Sequence, residues 1–296
     1  MEYSQSTAGE SSLFAEQFVP VGIRAVALTR ALEHWASRYP STIPYALPVA
    51  MAHSFAWPWL DVDDLLRGSK ATMWIFGSDN MLDTNVMAPN EVEAMLQRQR
   101  ETAAGASPDP QDECDVMLSE IRTEITGQPL FASMGPMWQE ALDRTLTARL
   151  FEHVHGAAIA AGARPPSLEE YLDQSGPSFG SDFIHLGRII CTEDLSILPH
   201  LDRLTAALKE YRMVGRLSND LYEYEREMAE PAPLNVLMFG VNRQWVTEQI
   251  ALHLDRCEEI LEPLIADGSG AALGIVRLAH WVATYYRGSG DWHVRT

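Results

Sequence analysis

Apolar positions along this chain recur at three- and four-residue spacing, and strict alternation is largely absent, so the pattern predicts helices rather than sheet. Pro20–Ser37 carries apolar residues at helical spacing. Arg38–Pro48 holds Pro40, Pro44 and Pro48 and reads as an extended connector. A further helix carries Met73, Trp74, Ile75 and Phe76 down to Asp79 and Asp83. Pro89, Asn90 and Glu91 open a helix over Asn90–Thr102, and Gly105–Pro110 is a loop. Asp112–Thr126 and Met137–Ala163 form two more helices, the second long and apolar. Ser167, followed by Glu169 and Glu170, caps a helix through Tyr171 and Leu172. Gly176, Pro177 and Gly180 must interrupt it, because each breaks helical hydrogen bonding or propensity. No fixed-period repeat is visible. The expected architecture is all-α: one helical bundle over residues 13–296, after a flexible tail at residues 1–12.

Chemistry concentrates at two places. Asn219, Glu223 and Glu227 lie four residues apart, drifting only ~40° per step on a helix, so they share one stripe. One amide oxygen and two carboxylates suit a hard divalent cation such as Mg2+. Arg226 is placed to meet an anion that such a metal also holds. A solvated acidic helix face is the plainer alternative. Asp79 and Asp83 repeat the four-residue spacing at the end of a segment too apolar for a surface helix. Carboxylates there are costly unless paired or metal-bound; capping of a turn is the alternative. Phe76 falls on the side of Asp79, whereas Trp74, two residues before it, does not.

Composition narrows the partners. The 296 residues are 46% hydrophobic, enough for a sizeable core. A formal charge of −19 argues against nucleic acid or an anionic membrane as partner. It does not forbid an anionic ligand, since bound cations reverse the local sign. Cys114, Cys191 and Cys257 are widely spaced and imply neither a disulfide framework nor a zinc motif. No signal-peptide core and no apolar run of ~18 residues is present, so a cytoplasmic protein without membrane anchoring is expected.

The Trp74-x-Phe76 lead into Asp79 and Asp83, then Asn219-Asp220-Leu221 with Arg226-Glu227 far downstream, resembles the bacterial class I terpene synthases. Asn235-Val236-Leu237 is similar to the helix start that follows the second motif there. The resemblance implies an all-α fold around a central apolar active-site cavity, three Mg2+ ions with bound diphosphate, and a homodimer. It implies a lyase that ionises a prenyl diphosphate and cyclises the carbocation to a hydrocarbon or alcohol. Asp79, Asp83, Asn219, Glu223 and Glu227 would be the metal ligands, although the middle position usually holds Ser or Thr rather than Glu223. Ser178 takes the linker position of the helix break and Phe179 the position whose backbone faces substrate. The diphosphate-sensing Arg, four residues past Tyr171, is replaced by Ser175, and Arg188 is a candidate substitute. Arg295 is the candidate for the C-terminal Arg-Tyr pair, whose Tyr is missing. Phe55, Trp57, Trp74, Phe76, Phe179, Phe183, Trp281 and Trp292 are candidates to face the cation, with core packing the alternative for most.

The small residues Ala71, Gly77 and Ser78 favour a roomy cavity and geranylgeranyl diphosphate (C20) as substrate. Farnesyl diphosphate and a pre-cyclised diphosphate are alternatives. From other classes, a chain-elongating prenyl transferase would need a pair of Asp-rich motifs, and a catalytically weak helical relative needs neither.

Overall fold

The computed structural model describes residues 8–84, 87–192, 194–229, 233–290 and Trp292, with side chains from residue 16 onward except those of 83 and 84. Among these residues the secondary structure is helical, in the order α1 (Ala8–Ala36), α2 (Ala46–Ala56), α3 (Val62–Thr84), α4 (Pro89–Ala104), α5 (Glu113–Thr126) and α6 (Phe131–Ala160). Then follow α7 (Leu168–Ser175), α8 (Ser181–Ile190), α9 (Leu201–Glu227), α10 (Arg243–Ala266) and α11 (Gly270–Ser289). None of them is long and apolar enough to cross a membrane.

α9 is the central rod. It packs on α10 along its length and on α11 and α8. α3 stands opposite, against α8, α2 and α5, while α6 closes the side between α4 and α8. The main core runs through these helices, with Leu28, Leu65, Trp74, Trp138, Phe183 and Leu208 fully or almost fully buried in it, and a second cluster around Tyr171, Val214, Leu217 and Val246 joins α7, α9 and α10. Trp74 turns away from the centre and donates its indole N–H to the Cys114 carbonyl at 2.9 Å.

Three expectations are corrected. The prolines of 38–48 do not extend the chain: Pro40–Tyr45 is a 3-10 turn and α2 begins at Ala46. Each proline falls in the first turn of a helical element or in the 3-10 turn, where a missing N–H removes little hydrogen bonding. Pro20, expected to open the first helix, lies inside α1, and the helix already begins at Ala8, within the stretch read as a tail. The buried stripe Val21, Ala25, Leu28 and Leu32 does start just past Pro20, so the packed part of α1 matches the apolar pattern. The helix expected over Met137–Ala163 runs instead from Phe131 to Ala160, with Pro136 in its second turn, where its missing N–H costs a single helical hydrogen bond. The starts of α5 and α7 follow the local signals. Asp112 caps α5 through the N–H groups of Cys114 and Asp115, and Ser167 caps α7 through that of Glu170.

The break between α7 and α8 is a 3-10 turn, Gly176–Phe179, followed by Gly180 at φ +73°. A side chain at Gly180 would be strained there and would also meet Ile75. The turn lies on α9: a Cβ at Gly215 would come within 2.3 Å of the Phe179 ring.

Candidate active site

A cavity of about 520 Å³ opens between α3 and α9. On α3, Thr72, Ile75, Phe76 and Asp79 share the face that lines it; on α9, Tyr211, Asn219 and Glu223 do so. Thr72 is seven residues before Asp79, about 10 Å along the axis, and Tyr211 lies about 12 Å before Asn219. The cavity therefore has two ends. One gathers Asp79, Asn80, Asn219 and Glu223 with Arg149, Arg216 and Arg226; the other is walled mainly by Ala52, Ile184, Leu278 and Val282. The two acidic motifs thus face a single hollow, and Phe76 lies between the ends. Its ring stacks on Tyr45 at 4.8 Å and tilts against Trp292 at 5.0 Å.

The polar end is built by ion pairs. The Asp79 carboxylate, 55% exposed, lies 3.7 Å from Arg149, which reaches in from α6 and donates to the Ile75 carbonyl at 3.0 Å. Asn219 offers its side-chain oxygen to Arg216 and its N–H to the Tyr286 hydroxyl at 3.4 Å. Glu223 accepts from Arg226 Nε at 3.1 Å; burial nonetheless holds its carboxyl above the usual range. Glu227 does not line the cavity. Its carboxylate accepts from Asn235 at 2.7 Å and lies 3.5 Å from Arg216, and burial pushes its pKa up. Asp220, fully buried behind the same turn, accepts from the Tyr171 hydroxyl at 2.7 Å and from Arg216. It ties α7 to α9.

Arg216 is the hub. Its guanidinium also meets Glu152 of α6 at 3.3 Å, and Glu152 accepts the Ser178 hydroxyl at 2.9 Å. Burial raises the Glu152 carboxyl to about 7. The helix break, α6 and the metal-motif helix are joined through this carboxylate.

The structure separates the expected site residues. Asp79, Phe76, Ser178, Phe179, Asn219, Glu223 and Arg226 line one cavity. Ser175 does not: it is buried and its hydroxyl has no hydrogen-bond partner among the described residues. Arg188 is no substitute sensor. Its guanidinium is enclosed by the Asp64 and Leu65 carbonyls, Ser69 and His53, and lies over the Trp57 ring. A cation in an apolar wall needs such acceptors, and they hold it away from the acidic end. The side chain of Asp83, and Arg295 altogether, lie outside the described residues. Trp57, Trp74 and Phe183 are core. Phe55, paired with Phe18, and Trp281, stacked on Tyr285, also lie off the cavity wall. Sequence reasoning missed Arg149, Arg216 and Glu152. Arg216 was legible, three residues before Asn219 on the same stripe; Arg149 and Glu152 carry no local signal.

The donor set fits a hard divalent cation. Asp79, Asn219 and Glu223 present oxygen atoms to one hollow, and a cationic group, the Arg216 guanidinium, already sits on the Asn219 oxygen. Among the described residues no three His, Cys, Asp or Glu side chains are drawn together as a preformed cluster.

An all-α bundle with acidic motifs on two facing helices at one end of an apolar cavity is the class I terpene synthase fold. The chain matches the family described as terpene synthase family 2, C-terminal metal binding, over residues 70–259, and it belongs to that family. It is 26% identical over 268 residues, 90% of each chain, to ent-pimara-9(11),15-diene synthase of Streptomyces sp. (strain KO-3988). Its structure is similar to linalool/nerolidol synthase from Streptomyces clavuligerus in complex with 2-fluorogeranyl diphosphate, at TM-score 0.68 and 14% identity, covering 91% of this chain and 95% of that one. The 2-methylisoborneol synthase from Streptomyces coelicolor A3(2), in complex with Mg2+ and 2-fluorogeranyl diphosphate, aligns at TM-score 0.63 and 17% identity over 92% of this chain and 90% of that one.

Proposed function

We propose that this chain ionises a C20 prenyl diphosphate with the help of Mg2+ and closes the resulting carbocation into a cyclic diterpene. The observation that carries this is the meeting of Asp79 from α3 with Asn219 and Glu223 from α9 at one end of an otherwise apolar cavity. The match to a diterpene-forming relative over most of both chains favours C20 over C15. Asp79, Asn219 and Glu223 would hold the metal, with Asp83 and Glu227 as further ligands. When bound, Mg2+ neutralises the diphosphate so that the allylic carbon–oxygen bond can break.

Arg149, Arg216 and Arg226 stand at the same end and supply N–H donors to the departing anion. Arg216 takes over from the absent sensor Arg, and its contact with Glu152 and Ser178 brings the helix break into the response. Phe76, Tyr45, Phe179 and Trp292 shield the cation from water, each ring face contributing ~0.5–2 kcal/mol when close. Glu227 would be free to help hold the metal if the diphosphate draws Arg216 away from it.

Incubation with C10, C15, C20 and C25 diphosphates plus Mg2+, with analysis of extracted products and of released inorganic diphosphate, tests the reading. A cyclic C20 product is expected, and Asn219→Ala should abolish it while leaving the helical spectrum intact. Longer diphosphates as products, or no diphosphate release from any substrate, would end it.

A further inference from the structure

The apolar end of the cavity contains one hydrogen-bonded polar pair, with Tyr211 the other polar side chain there. His53 of α2 and Thr72 of α3 are 1% and 7% exposed, and both line the cavity. The direction of their hydrogen bond is decided by Arg188. A guanidinium only donates, so His53 Nδ1, 2.6 Å from Arg188 Nη2, is an acceptor. Burial and the Arg188 charge keep the imidazole neutral, and its single proton is therefore on Nε2. That N–H donates to Thr72 Oγ1 at 2.8 Å.

The hydroxyl hydrogen of Thr72 is thus turned away from His53. Among the described residues it has no acceptor. Ser69, one turn earlier, returns its hydroxyl to the Leu65 carbonyl at 2.7 Å; Thr72 makes no such bond back along α3. A donor left unmet in a buried wall costs ~1–3 kcal/mol, and the hydrocarbon part of a substrate cannot meet it. An oxygen atom can.

We propose that Thr72, oriented by His53, holds a water molecule at the apolar end of the cavity, and that this water captures the carbocation and makes the product a terpene alcohol. The proposal rests on the reading of the chain as a prenyl diphosphate cyclase. The Thr72 hydroxyl donates to one lone pair of the water and leaves the other facing the cation. That pair forms the new carbon–oxygen bond. The oxonium then loses one proton to a second water molecule in the cavity, which carries it to the inorganic diphosphate released at the polar end, about 10 Å along α3. No carbon–hydrogen bond breaks at this step, and no oxidant or reductant is needed. His53 is not the proton acceptor, since its unprotonated nitrogen is already taken by Arg188.

Turnover in ¹⁸O-labelled water with wild type, Thr72→Val and Thr72→Ser tests this. Wild type is expected to give an alcohol carrying one ¹⁸O. Thr72→Val, which exchanges the hydroxyl for a methyl of similar size, should shift the product to hydrocarbon and lower the alcohol fraction about tenfold or more, the equivalent of about 1.4 kcal/mol between the competing steps. Thr72→Ser should restore the alcohol. An unlabelled hydrocarbon as the sole wild-type product, or an unchanged alcohol fraction in Thr72→Val, overturns the proposal. If wild type releases no diphosphate from any substrate, the cyclase reading fails instead. A crystal structure of the wild-type protein then decides the water site: a water within hydrogen-bond distance of Thr72 Oγ1 supports it, and a well-ordered but dry Thr72 overturns it.

Discussion

Arg216 donates to the side-chain oxygen of Asn219, three residues further along α9, and the same nitrogen stands 3.5 Å from Glu227. An internal cation thus occupies two of the three second-motif side chains proposed to hold the metal. A cation and a guanidinium compete for the same oxygen, and a diphosphate relieves the competition by attracting both.

Arg216→Gln should therefore bind Mn2+, measured by calorimetry without diphosphate, more tightly than wild type. Its kcat/KM should fall by about 10²–10³-fold, the usual cost of losing a donor to a developing anion. Equal metal affinity in the two proteins would show that Arg216 does not screen the site.

Ser175 stands where the sensor Arg is expected, yet it is fully buried and its hydroxyl bonds nothing among the described residues. Restoring the Arg should not restore sensing. Ser175→Arg would bury an unpaired charge and destabilise by more than about 3 kcal/mol, whereas Ser175→Ala should stay within about 1 kcal/mol of wild type in urea unfolding.

Gly215 lets the Phe179 ring lie against α9, with 2.3 Å between the ring and a notional Cβ. Gly215→Ala must push the helix break off α9. A stability loss of about 1–3 kcal/mol is expected from overpacking, together with a lower kcat. A fully active, equally stable variant would mean that the contact between the break and α9 does not matter.

The Glu152 carboxyl is raised by burial from an ordinary 4.5 to about 7, against the lowering effect of Arg216 and Ser178 and with Asp79 and Asp220 nearby. Between these values the unfolded chain has released the proton that the folded protein keeps. Stability therefore falls as pH rises through that window, the loss being complete above about 7, and it amounts to about 3 kcal/mol at most. Glu227 shifts in the same direction. Thermal unfolding at pH 5 and pH 8 should show wild type weaker at pH 8, and Glu152→Gln less so. A wild type equally stable at both values would contradict this.

Phe76, held between Tyr45 and Trp292, is the aromatic side chain one turn from Asp79. Phe76→Ala should withdraw ~0.5–2 kcal/mol of cation–π stabilisation and move the product mixture toward less cyclised compounds. An unchanged product profile would place the cation elsewhere.

Much of this was available from the chain alone. The four-residue spacing of Asp79 with Asp83 and of Asn219 with Glu223 placed each pair on one helix face whatever surrounds it, while the full extent of α3 and α9 came from the structure. The break at Gly176–Gly180 was equally local, since a proline and a left-handed glycine end a helix through their own backbone geometry. The proline-rich stretch before Ala46 was misread for the converse reason. A proline in a first turn and one that breaks a helix look alike until the next turn is seen.

Only the tertiary structure decided which charges meet. Nothing in the sequence near Arg188 says that Asp64, Leu65 and His53 will enclose it. Nor does the sequence near Ser175 say that this position is sealed from the cavity. Arg149 and Glu152 enter from α6, a helix whose pattern announces only burial, and they meet Asp79, Ser178 and Arg216 from elements distant in the chain. Local spacing sets the direction of a side chain relative to its own helix. What lies in that direction is set by the packing of the other helices.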